Sequence, residues 1–96
     1  MSVSDAAFNG AVDAGQLYQA SAKEAGININ VVQEPSDGYW SNVWLKKGWC
    51  ACYWSGRVTE DWMFSTSWAT GVPWNDSHWE NARFQELLLS ARGELD

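Results

Sequence analysis

Apolar residues recur at three- and four-residue steps early in the chain, at Ala11, Ala14, Tyr18, Ala22 and Ala25, which predicts a helix from about Asp5 to Ala25. Asp5 offers a carboxylate to its open N–H groups, and Gly26 stands where a left-handed residue ends a helix. Gly10 and Gly15 weaken the helix, while small residues along its face let it lie close to a sheet. The period then changes from helix to strand. Ile27, Ile29 and Val31 alternate with Asn28 and Asn30, predicting a strand with one wet face that Pro35 ends. Ser36 and Asp37 open a short helix in which Tyr39, Trp40, Val43 and Trp44 share a packing side. Lys46 and Lys47 sit near the negative end of its dipole, and Gly48 closes it.

From Trp49 to Trp54 the residues are apolar or amphipathic without alternation, which predicts a short strand covered on both faces. Strand, helix and strand in about thirty residues predict a parallel β-α-β crossover. Further on, Thr59 caps a helix from Glu60 to about Trp68, and Gly71, Pro73 and Asn75 mark the following loop. Ser77 and Glu80 match a capping box, with Phe84, Leu87, Leu88, Ala91 and Leu95 lining one side of a last helix that runs to the end. The expected class is α/β, a β-α-β unit flanked by helices. With no repeat, low-complexity tract or linker, residues 1–96 read as one undivided segment.

A chain of 96 residues buries only about 60 to 65% of its unfolded surface. All eight tryptophans fall between positions 40 and 79, and each buried indole is worth about 4 to 6 kcal/mol at most. So small a core takes up most of them but not all. Those left outside line a ligand groove or face protein that the chain lacks. The net charge of −6 excludes the basic footprint that a nucleic acid or an anionic membrane surface requires. No apolar run approaches the ~20 residues that span a bilayer, and Met1 to Gly15 has neither the basic start nor the apolar stretch of a signal peptide.

Candidate chemistry narrows to one place. Cys50 and Cys52, one residue apart, are poorly placed for a mutual disulfide and read as small packing groups; His78 has no partner at ligand spacing, so no metal site is expected. Gly56 and Gly71 are isolated, Ser55 lacks a nucleophile elbow, and no cofactor is implied. Glu60 and Asp61 point about 100 degrees apart on a helix and suit its first turn better than acid–base work. Arg57, directly after the aromatic run and Gly56, presents a planar fork that fits a carboxylate or phosphate. Tyr53 and Trp54 offer flat surfaces to a solute at what would be the carboxyl end of a sheet strand.

The runs YWSGRVTEDWMFS, GYWSNVWLKK and WND..W...RF.ELL..AR.ELD together resemble the carboxyl-terminal part of family 5 extracellular solute-binding proteins, from about Ala6 to Asp96. These are periplasmic receptors of peptide-type ABC importers and are several times longer than this chain. The resemblance implies a segment of one lobe of a type II periplasmic binding protein, truncated relative to an exported parent. It implies capture of a peptide-like or other small solute for ABC permease subunits, without catalysis. It carries ligand contacts onto Tyr53, Trp54, Ser55, Gly56 and Arg57. Peptide-binding members usually place an Asp at the position of Arg57, where it holds the ligand's α-amino group, so the inverted charge here points to an anionic group on the solute. Two other classes compete: an aromatic-rich carbohydrate-binding module, and a small hydrolase using Glu60, Asp61 and His78.

Overall fold

In the computed structural model, which describes residues 1–95, the organising strand is one that no periodicity announces, β1 at Ser2–Val3. It pairs in parallel with β2, Val32–Gln33, placing Ser2 opposite Val32 and Val3 opposite Gln33. Val32 N–H donates to Met1 O at 2.9 Å and Glu34 N–H to Val3 O at 2.8 Å. On its other edge Ser2 forms a single parallel bridge with Cys50: Ser2 N–H donates to Trp49 O (2.9 Å) and Ala51 N–H to Ser2 O (2.8 Å). The chain falls into two units, Met1–Trp54 and the residues from Ser55 onward. No compositional break marks that division in the sequence.

The β-α-β crossover exists, but one element earlier than expected. It runs β1, α1 (Ala11–Glu24), β2, and the two segments expected to be neighbours each pair with β1 instead of with one another. β1 has two open edges, and each segment satisfies one of them. The strand expected from Ile27 shrinks to Val32–Gln33: Ile29 is buried, but Ile27 is 57% exposed because no partner covers it.

α1 starts after Gly10, which takes a left-handed φ of 83°, and not at Asp5. Asp5 still serves it, since its carboxylate accepts from Val12 N–H at 3.2 Å, satisfying one of the donors that a helix start leaves open. The buried residues of this helix are Ala11 and Gly15, whereas Ala14 and Tyr18 are exposed, Tyr18 standing edge-to-face with Trp49 at 6.3 Å. Gly15 is there for proximity: a Cβ on it would lie 2.8 Å from Val3 Cγ1.

Ala7, Ala11, Tyr39 and Val43 form the core of this unit, with Ala6, Cys50 and Ala51 packed against it. The one-turn helix α2, Tyr39–Asn42, places Tyr39 at the centre with 1% of its surface exposed. Its hydroxyl donates to Ala51 O at 2.7 Å and lies 3.4 Å from Ser2 O. The expected strand from Trp49 to Trp54 does not form: beyond the bridge at Cys50 the Ala51 carbonyl accepts from the Tyr39 hydroxyl, and residues 51–57 have no regular structure. Glu34 clamps β2 from outside the ladder, accepting from Ser2 Oγ at 2.7 Å and from Lys47 Nζ. The Lys47 bond, followed by that of Ser2, holds its carboxyl below the usual glutamate range.

In the second unit α3, Glu60–Ser67, begins where its pattern predicts, with Thr59 Oγ1 accepting from Trp62 N–H at 3.1 Å. The helix α4, Ala82–Ala91, begins four residues later than the capping box suggested. Ser77 Oγ is consumed in a turn, donating to Asn75 Oδ1 (2.7 Å) and accepting from Trp79 N–H (3.1 Å), next to His78 at a φ of 52°. Asn81 is the cap, its Oδ1 accepting from Phe84 N–H at 2.9 Å. Of the expected stripe, Leu88 is buried and Phe84 half-buried, while Leu87 and Leu95 are exposed. The expected end of this helix, Asp96, lies outside the described residues. Asn81→Ala should cost this unit about 1 kcal/mol in urea unfolding. Ser77→Ala should cost less, and the reverse order would mean that the helix starts at Ser77 after all.

Six of the eight tryptophans are exposed, so the expectation that most belong to the core does not hold. Small side chains and one tyrosine fill the interior of the first unit and leave no room for indoles. No helix among the described residues is long and apolar enough to cross a membrane.

Candidate functional site

Gly56 does not turn the chain through a left-handed conformation, and space is open where its Cβ would be. The local order comes from Arg57 folding back on the preceding residues. Its Nη1 donates to Ser55 O (2.8 Å), Ser55 Oγ (3.1 Å) and Gly56 O (3.3 Å). A guanidinium carries five N–H donors, and these three bonds all use the same nitrogen. The guanidinium carbon lies 5.7 Å from the centroid of the Trp62 ring, a cation–π contact worth about 0.5 to 1 kcal/mol at an exposed position. The backbone N–H of Trp62 donates to the Thr59 cap, which places Trp62 in the first turn of α3. Sequence thus sets the geometry in two steps: Thr59 starts α3, and the first turn of α3 carries the indole on which Arg57 rests.

An open pocket of about 510 Å³ lies at this point, lined by Arg57, Val58, Thr59, Glu60 and Met63. It combines one cation, one carboxylate, a hydroxyl and two apolar side chains. Such a lining suits a small solute with an anionic group for Arg57, a donor for Glu60 and apolar atoms for Val58 and Met63.

The five residues expected to form one site are divided by the fold. Tyr53 and Trp54 end the first unit, whereas Ser55, Gly56 and Arg57 open the second. Within the second unit, Ser55, Gly56 and Arg57 are brought together by the Nη1 bonds. Within the first, Tyr53 is 61% exposed and stands edge-to-face with Trp40 at 5.7 Å, and Trp54 stands 6.2 Å from Trp44. Trp40 joins both Trp44 (5.8 Å) and Tyr39 (5.6 Å) in the same manner. The expected rim of a buried aromatic strand is therefore absent, because the ladder ends at Ala51. An aromatic cluster on the α2 side takes its place.

Sequence reasoning missed Trp62, Val58 and Met63 as neighbours of Arg57. The signal was present in Thr59, since a recognised cap places the residue three positions on in the first turn. Asp61, a member of the alternative acid–base set, accepts from Arg92 Nε at 2.8 Å and from Ser65 Oγ at 3.2 Å. Among the described residues no group of three or more His, Cys, Asp or Glu side chains is placed to hold a metal ion. No family model matches the chain, and neither a curated protein nor a solved structure matches it.

Proposed function

We propose that this chain captures a small solute bearing an anionic group, peptide-like or otherwise, with Arg57 as the anion contact. One observation carries this reading: the guanidinium is tethered through a single nitrogen, rests on Trp62 and lines a pocket that also holds Val58, Glu60 and Met63. A pre-positioned fork loses less conformational freedom on binding than a loose one. The resemblance of YWSGRVTEDWMFS to family 5 receptors supports the wider role, in which a longer periplasmic receptor passes its cargo to the permease of an ABC importer. Capture without catalysis is supported by Asp61, whose carboxylate is engaged by Arg92 and Ser65.

A sugar-binding module is the second reading, favoured by the exposed Tyr53 and Trp40 rings of the first unit. Among the described residues, four helices against two strands of two residues weigh against the mostly β architecture of such modules.

Titration calorimetry with short peptides, each with a free or an amidated carboxyl terminus, tests the anion contact. A charge-assisted bond to Arg57 predicts a loss of about 10- to 150-fold on amidation, corresponding to about 1.5 to 3 kcal/mol, and a comparable loss in Arg57→Ala. Equal affinity for both peptide forms, or an unchanged affinity in Arg57→Ala, would overturn the assignment. Preferential binding of neutral oligosaccharides would establish the second reading in its place.

A further inference from the structure

We propose that the first unit holds a binding site distinct from the Arg57 pocket, an apolar pocket beside α1 and β1 that takes a small uncharged molecule built on one aromatic ring. The pocket measures about 190 Å³ and shares no residue with the one at Arg57. Its lining comes from three parts of the chain: Val3 in β1, the stretch of Phe8, Ala11, Gly15 and Tyr18 that leads into and along α1, and Ala51. Val3, Ala11 and Gly15 are buried and belong to the packed interior, whereas Phe8 and Tyr18 are exposed. The buried residues of α1, an alanine and a glycine, carry too little side chain to fill the space. Tyr18 is held in orientation by Trp49, which it meets edge-to-face at 6.3 Å.

The lining selects the ligand. Its backbone groups are engaged elsewhere: Met1 O and Val3 O accept ladder bonds, the N–H groups of Ala11, Ala14 and Ala51 donate to Phe8, Gly10 and Ser2, and Ala51 O accepts from Tyr39. The Met1 ammonium donates to Asn30 O at 2.6 Å. Apart from the Tyr18 hydroxyl and the Met1 thioether, the side chains there carry no hydrogen-bonding group. A bound water requires two to four polar partners, so water is poorly held and easily displaced. An ionised ligand would lose its hydration without gaining a partner, which excludes charge on the part that enters. Volume sets the size, since an apolar cavity of about 150 Å³ accepts benzene whereas drug-sized ligands occupy about 300 to 1,000 Å³. The Phe8 and Tyr18 rings decide between aromatic and saturated occupants, because the edge of one ring attracts the face of another.

Carbon–proton NMR of the methyl groups of the full chain, titrated with benzyl alcohol, tests the site. The methyls of Val3, Ala11, Ala14 and Ala51, all on the lining, are expected to shift together and to saturate with one dissociation constant, while those of Val58 and Met63 at the Arg57 pocket stay in place. Benzoate, which differs by its charge, should bind about tenfold more weakly or less. Cyclohexylmethanol, which differs by its saturated ring, should bind severalfold more weakly. Ala14 is exposed, so Ala14→Phe is compatible with the fold; the tethered ring should compete for the pocket and weaken benzyl alcohol about tenfold. The absence of saturable shifts, shifts at Val58 and Met63 in place of these, equal affinity for either comparison compound, or an unchanged affinity in Ala14→Phe would each overturn the site.

Discussion

Replacing Tyr39 by alanine is expected to bring the first unit to the edge of unfolding. Tyr39 is the largest fully buried side chain, and it joins Ala7, Ala11 and Val43 into one cluster. Removing a buried aromatic costs about 3 to 5 kcal/mol, against a total of about 5 to 15 for a folded domain. The hydroxyl adds a second loss, because Ala51 O would no longer accept its 2.7 Å bond. Tyr39→Phe isolates that part and should cost about 1 to 2 kcal/mol. Urea unfolding followed by tryptophan fluorescence is suited to both, since Trp40 packs on the Tyr39 ring. A loss below about 1 kcal/mol for the alanine variant would show that the cluster does not hold the unit together.

The same side chain sets an alkaline limit. Burial, followed by negative charge at Cys50 and Cys52, pushes the Tyr39 phenol from 10.0 up to about 12. Because the folded state favours the neutral phenol, this contribution to stability is complete below pH 10.0 and is lost as pH rises through about 12. Absorbance titration of the phenolate should show a step near 12 that disappears in Tyr39→Phe.

Gly15→Val should produce the second large effect, a loss of about 1 to 3 kcal/mol despite the better helix propensity of valine. The added Cβ alone would sit 2.8 Å from Val3 Cγ1 and 3.5 Å from Val31 Cγ1. Val3 is β-branched, 1% exposed and held in the β1 ladder, so its χ1 is restricted and little space surrounds it. Urea midpoints for Gly15→Val and for Gly10→Ala separate packing from backbone effects. A Cβ at Gly10 meets nothing, but Gly10 has a φ of 83°, so its substitution costs backbone strain only. A stability gain in Gly15→Val would mean that α1 does not lie against β1.

Helical segments were legible in outline from local periodicity, because each satisfies its own backbone bonds. The spacing around Thr59 located α3 to within a residue, and Gly26, with a φ of 77°, does stop α1. Caps were less legible, since several polar side chains compete for each role. Ser77 and Asn81 are both good caps by type, and the turn built on Asn75 uses up Ser77.

Strands were the least legible, because a ladder requires a partner that the local pattern does not name. Nothing in Ser2–Val3 distinguishes it from a frayed terminus, yet it pairs on both edges. Nothing in the run from Trp49 to Trp54 shows that Tyr39 will claim the Ala51 carbonyl. The candidate site follows the same rule. Arg57 stood out by type and position, whereas its rest on Trp62 and its Nη1 tether required coordinates. By itself the sequence determined a mixture of helices and strands, the approximate helical segments and the chemical kinds of side chain available, all properties of residue type and short spacing. Only the tertiary structure decided which strands pair, which indoles stay outside and which groups meet at Arg57. Those outcomes depend on competition among distant residues for a small interior and a limited set of hydrogen-bond partners.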